Sequence, residues 1–203
     1  MYTPSFNKFD DKQGALAFMQ RYSFATIVTV SDGIPSATHL PFLVKEQDDK
    51  IILLSHFAKA NLQADEITAC TPLVIFAEPH AYISPKNYET EKNVPTWNYI
   101  AVHAYGDAIL IESAEEKAAL LEQTIQFYDL EYLKQWNGLL QDYKLKMMNG
   151  ITGFQITVTD LQGKKKLSQN RSEVEKEHII ADLDNSADTA VKDIAEYMKD
   201  LKQ

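Results

Sequence analysis

Apolar residues recur along this chain with two periods, every second residue in some stretches and every third or fourth in others, and the two alternate in blocks. Residues 24–30 and 35–44 carry the strand period on either side of Ser31-Asp32-Gly33, which predicts a hairpin closed by an Asp-Gly turn, with Pro41 at an edge or bulge. Residues 50–55 are apolar on both faces through Ile51, Ile52, Leu53 and Leu54, so they predict a central third strand, ending at Ser55 and leading through 55–61 into a short helix around Leu62 and Ile67. A fourth strand is expected over 71–77, running on past Pro79. A fifth is expected over 94–112 and a sixth over 151–161. Helical spacing governs the rest: 11–22, then a helix opened by the capping box Ser113/Glu116, then 132–148 interrupted near Asn137-Gly138, and finally 172–182 and 186–202.

A strand at 151–161 has no partner of its own and must return to the earlier sheet, which makes residues 113–149 a helical insertion. The expected fold is α+β: one domain over 1–203, built on a six-stranded, mostly antiparallel barrel from strands within about 24–112 and 151–161, with a helical tail over about 168–203.

The stretch from Glu78 to Gly106 has two unlike faces. His80, Tyr82 and Ser84 fall together opposite Ala81 and Ile83, and Trp97, Tyr99, Ala101, His103 and Tyr105 fall together opposite Asn98, Ile100, Val102 and Ala104. A solvated face would carry Lys, Glu and Thr. Trp, Tyr and His instead imply a covered surface, beneath a planar ligand, another subunit, or one of the protein's own helices as a second core layer.

Composition narrows the partners. The net charge of -9 is spread along the chain and opposes unaided binding to a polyanion. Arg21 and Arg171 are its arginines, so direct reading of base edges has little support, and no helix-turn-helix is recognisable. Cys70 excludes an intrachain disulfide. The absence of a basic-then-apolar leader and of any membrane-length apolar run predicts a cytoplasmic protein.

Several residues could carry chemistry. At 55–61, Ser55, His56 and Lys59 place donors beside an expected helix start, which suits a phosphate as well as an ordinary polar loop. His39, His56, His80, His103 and His178 lack metal-site spacing, so no metal is expected. His80 and His103 sit on the aromatic face, where they could bond a ligand or lie in an interface. Cys70, before an apolar strand, reads as a small buried hydrophobe, and no nucleophile elbow, P-loop or GxGxxG is present. The run Lys164–Lys166 reads as solvated, and the amides Gln169 and Asn170 could meet a heteroaromatic edge or cap a helix.

The blocks ATIVTVSDGIPSATHLPF (25–42), SHFAKAN (55–61), PHAYISPKNY (79–88), VPTWNYIAVHAYG (94–106) and KLSQNRSE (166–173) resemble the PaiB-type FMN-binding negative transcriptional regulators, bacterial proteins linked with repression of sporulation and degradative-enzyme genes. The resemblance covers nearly the whole chain. It implies a split β-barrel of the flavin-reductase and pyridoxamine-phosphate-oxidase type, a homodimer, and an FMN pocket at the subunit interface. Ser55, His56, Lys59 and Asn61 then match the stretch that contacts the flavin phosphate in related barrels, although the block lacks the arginine often found there. Thr38 and His39 match the strand that lines the flavin. Trp97, Tyr99 and His103, with Gln169 and Asn170, match blocks bordering the pocket or the dimer seam. The expected function is regulatory rather than enzymatic. The alternatives are an FMN-dependent oxidoreductase and a heme-binding barrel with His39, His56, His80 or His103 as axial ligand.

Overall fold

Strands that are apolar on alternate residues must bury one face, and here they do so in a computed structural model that describes residues 1–201. The position 202 expected at the end of the last helix lies outside the described residues. The chain divides into two compact units, Leu16–Phe76 with His103–Leu161, and Met1–Ala15 with Ala77–Val102 and the chain from Gln162.

The strands are β1 (Phe24–Ser31), β2 (Ile34–Pro41), β3 (Leu43–Gln47), β4 (Lys50–Ala58), β5 (Leu73–Phe76), β6 (His80–Ile83), β7 (Thr96–Ile111) and β8 (Ile151–Lys166), in the order β2-β1-β5-β7-β8-β4-β3 with β6 on β7. The barrel expectation holds, with eight strands among the described residues instead of six. Two expected strands are each divided by a proline, which has no N–H for a ladder. Pro41 ends β2, and the next N–H, of Phe42, donates to the Ser23 carbonyl at 2.8 Å, one step beyond the Phe24–Pro41 pair, before the chain enters β3. Glu78 and Pro79 fall in the break between β5 and β6. The β1–β2 turn is as expected: Asp32 and Gly33 take φ of 50° and 78° and close the Ser31–Ile34 pair.

Two other boundaries differ from expectation. β4 continues to Ala58, so Ser55–Phe57 are strand residues, and α2 (Gln63–Glu66) is one turn. The helix-start argument for 55–61 therefore falls away, because a single turn presents no sustained dipole. β8 runs on to Lys166 and takes the three lysines with it.

In the first unit the core is aromatic: Phe42 lies 5.9 Å from Phe76 and 6.2 Å from Phe154, and Phe154 stacks on Phe57 at 4.7 Å. All four rings are fully buried. β7 and β8 approach so closely at Gly106 that a Cβ there would stand 2.2 Å from the Thr157 carbonyl oxygen. The insertion holds α3 (Ala114–Tyr128), α4 (Tyr132–Gly138) and α5 (Gln141–Met148), with α4 and α5 separated just after Asn137-Gly138. The Ser113 hydroxyl accepts from the Glu116 N–H at 3.1 Å, as the capping box requires.

In the second unit β6 pairs with the start of β7, His80 opposite Tyr99 and Tyr82 opposite Trp97. Packed helices α6 (Glu173–Asp184) and α7 (Thr189–Asp200) bury Ile179, Leu183, Ile194 and Met198. The helix α1 (Lys12–Arg21) begins here, with Asp11 accepting from the Gln13 N–H at 3.1 Å. Among the described residues no helix is long and apolar enough to cross a membrane, and no His/Cys/Asp/Glu group could hold a metal.

Candidate cofactor site

In the barrel unit, Thr38 of β2 and Asn61 after β4 come together. The Asn61 amide donates to the Thr38 hydroxyl at 3.0 Å, and that hydroxyl donates to the Gln63 side-chain oxygen. Gln63, buried, is the hub: its amide donates to Thr29 Oγ1 at 2.9 Å and to the Ser36 carbonyl at 3.1 Å, while its backbone N–H donates to Asn61 Oδ1 at 3.0 Å. Sequence reasoning missed Gln63. Its one signal is the Asn two residues earlier, the spacing of an Asx turn. The network fixes the Asn61 carboxamide from both ends and closes the turn from Asn61 to Gln63.

The other expected residues take varied positions. Ser55 is buried, and its hydroxyl donates to the Pro41 carbonyl at 2.7 Å, so it joins β4 to the end of β2. Lys59 is exposed, and its backbone N–H donates to the Gly150 carbonyl at 2.9 Å. His39 is exposed and stacks on Phe24 with ring centroids 6.3 Å apart. His56 on β4 and His103 on β7 are half-buried, and burial holds both imidazoles below their ordinary 6.5, leaving neutral rings at pH 7. An unfolded chain binds the protons these rings refuse, so stability should decline as pH falls below about 6.5. Denaturant titrations between pH 7 and 5 should show that decline, shallower in His56→Gln.

In the second unit the two-faced pattern of β6 and β7 appears as read: Ala81, Ile83, Asn98, Ile100 and Val102 are buried, whereas Tyr82 is 50% and Trp97 51% exposed. The Trp97 ring lies 5.8 Å from both His80 and Tyr82, forming an uncovered aromatic cluster. The second-core-layer alternative is thereby set aside for these three side chains. Tyr99, Gln169 and Asn170 line one cavity. Gln169 is already engaged, its oxygen accepting from the Leu167 N–H at 2.7 Å and its amide donating to the Lys165 carbonyl at 2.6 Å, so it braces a loop in which Ser168 takes φ of 60°. Asn170 is exposed. The site residues thus form two sets, one in each unit.

Residues 1–160 match the family described as "Putative FMN-binding domain". The chain belongs to this FMN-binding family. It is 41% identical, over 98% of its length and 97% of the relative's, to the "Protease synthase and sporulation protein PAI 2" of Bacillus subtilis. Its fold is that of the flavocytochrome Anf3 from Azotobacter vinelandii, with a TM-score of 0.64 and 15% identity over 79% of this chain and 69% of that one. It is shared also by an FAD- and heme-binding protein from Mycobacterium smegmatis, with a TM-score of 0.61 and 12% identity over 79% and 73%.

FMN is the cofactor that the family gives this chain, and the barrel unit carries side-chain donors of the kinds that a phosphate accepts from. Lys59 supplies an ammonium, Asn61 has an amide hydrogen beyond the one given to Thr38, and neutral His56 has a ring N–H. When bound, the isoalloxazine supplies the redox chemistry, and the protein supplies binding and orientation.

Proposed function

We propose that this chain is a homodimeric, FMN-binding negative transcriptional regulator of the PaiB type, in which flavin occupancy or redox state is transmitted to gene expression. The observation that carries the flavin reading is the Thr38–Asn61–Gln63 network, which holds the Asn61 carboxamide from both ends, two residues after Lys59, in a chain of this family. Lys59, Asn61 and His56 bind the flavin phosphate, and Thr38 positions Asn61. His39 and His103 border the flavin, and Ser55 supports the site by tying β4 to β2. The cluster of His80, Tyr82 and Trp97 forms the dimer seam with Tyr99 beside it, since exposed rings packed together on one face make a patch suited to a second copy of this chain.

The regulator acts in the cytoplasm and influences DNA through a partner. Arg171 is held by Asn93 at 2.9 Å and lies 3.7 Å from the Tyr88 ring, an arrangement suited to structure and not to base reading. β7 and β8 each contribute residues to both units, which supports a single domain over 1–203.

The decisive experiment is a visible spectrum of the purified protein with mass identification of anything released on denaturation. A flavin spectrum with released FMN is expected. A Soret band, or a colourless protein that takes up no added FMN, would overturn the reading, and steady NAD(P)H turnover with an acceptor would move it to the oxidoreductases. Trp97→Ala should shift the oligomer toward monomer, by at least ~10-fold in dimer dissociation constant for loss of a central aromatic anchor. Analytical ultracentrifugation reads this, and an unchanged constant would remove Trp97 from the seam.

A further inference from the structure

The second unit holds a cavity of ≈ 440 Å³ that the flavin reading does not use for phosphate. Lys164 and Lys166 project into it from one face of β8, joined by Arg171. The sequence pattern read the lysine run as solvated, yet Lys164 is only 9% exposed and Lys165, on the opposite face, lies 3.8 Å from the Phe9 ring. The Lys164 ammonium donates to the Tyr2 carbonyl at 3.2 Å and stands 5.3 Å from the Tyr99 ring centre, while the Lys166 ammonium donates to the Thr96 hydroxyl. Neither lysine meets a carboxylate among the described residues. Arg171 is different, with Glu175 at 3.7 Å. Two uncompensated positive charges thus share one cavity, one of them withdrawn from water, a costly arrangement unless an anion enters.

A second observation points the same way. Asn7 lines the cavity, is 4% exposed, and keeps its side-chain oxygen buried with no hydrogen-bond donor. A buried acceptor without a partner calls for a donor from a ligand. The other walls combine rings and prolines, Tyr2, Phe6, Pro95 and Tyr99 among them, with polar side chains such as Thr96 and Asn170.

We propose that this cavity is a binding site for a phosphate monoester carrying a planar nitrogen heterocycle, a mononucleotide-like effector distinct from the flavin. A monoester at neutral pH carries about −1.5 to −2 charges, matching the two lysines left over after Arg171 is paired. The heterocycle packs on the aromatic walls, and its N–H reaches Asn7 Oδ1.

The test uses adenosine 5′-monophosphate as probe, titrated calorimetrically into the full chain with and without saturating FMN. The nucleotide should bind in both cases, and more tightly than inorganic phosphate. Lys166→Gln should weaken it at least ~10-fold, the loss expected for one charge-assisted hydrogen bond, while leaving FMN content unchanged. Three results would overturn the proposal: no heat from nucleotide or phosphate, unaltered nucleotide binding in Lys166→Gln, or displacement of the nucleotide by FMN. The last would assign the cavity to the flavin itself. FMN content is measured separately, so failure here leaves the flavin reading to its own test. Lys164→Gln is the second variant, with its circular dichroism compared to the parent chain.

Discussion

Phe154→Ala should lower the unfolding free energy by about 3–5 kcal/mol, the usual cost of truncating a buried phenyl ring to a methyl group. The ring is fully buried, stacked on Phe57 at 4.7 Å and meeting Phe42 at 6.2 Å, and Phe42 in turn meets Phe76 at 5.9 Å. Because β8 pairs there with β4, Phe154 opposite Ser55, two ladder strands limit how far the void can collapse. Domains of this size lose about 2–4 °C per kcal/mol, so the midpoint should fall by about 6–20 °C in differential scanning calorimetry. Leu140→Ala is the control. That side chain is 79% exposed, and its loss should change stability by no more than about 0.5 kcal/mol. Equal effects from the two variants would mean that the four rings are not the barrel's centre of stability.

Asn61→Asp should weaken FMN binding by about two orders of magnitude, because it replaces a donor by an anion. One like-charge contact at about 4 Å costs roughly 4 kcal/mol at the effective dielectric of a protein surface, less after screening. The substitution is isosteric and retains the oxygen that accepts from the Gln63 N–H, so the turn after β4 should survive it. Flavin fluorescence quenching on titration reads the affinity, and circular dichroism checks the fold. An unchanged dissociation constant in a folded variant would take the phosphate away from residues 59–61.

The two-faced character of β6 and β7 was legible because burial alternates with the strand period, and each aliphatic position read inward at 81–83 and 98–104 is buried. The Asp32-Gly33 turn was legible because positive φ at both residues selects those types. The strand breaks were only half legible: Pro41 and Pro79 mark where a strand can stop, but not that the chain resumes in β3 and β6 as separate strands. The end of β4 was misread because Ser55-His56 resembles a polar exit from a strand, whereas alternation buries Ser55 and Phe57.

What sequence could not supply is long-range placement. Gln63 acquires its role from Thr29, Thr38 and Ser36, which lie 25 to 34 positions away. The lysines of β8 gain theirs from residues near Tyr2 and Tyr99. Local periodicity assigned the lysines to solvent because charge runs are ordinarily solvated, and only the fold withdraws Lys164 from it.

Residues 2–7 form one side of that cavity, and they are anchored a few positions later. The Phe9 N–H donates to the Gly163 carbonyl at 3.2 Å, and a Cβ on Gly163 would stand 2.5 Å from the Phe9 carbonyl oxygen. The first residues therefore serve as masonry for a compartment whose charges come from the far end of the chain. A single methyl group added at position 163 would press on Phe9 and through it on the wall that includes the Tyr2 carbonyl holding the Lys164 ammonium, so the compartment's shape and its electrostatics are set together.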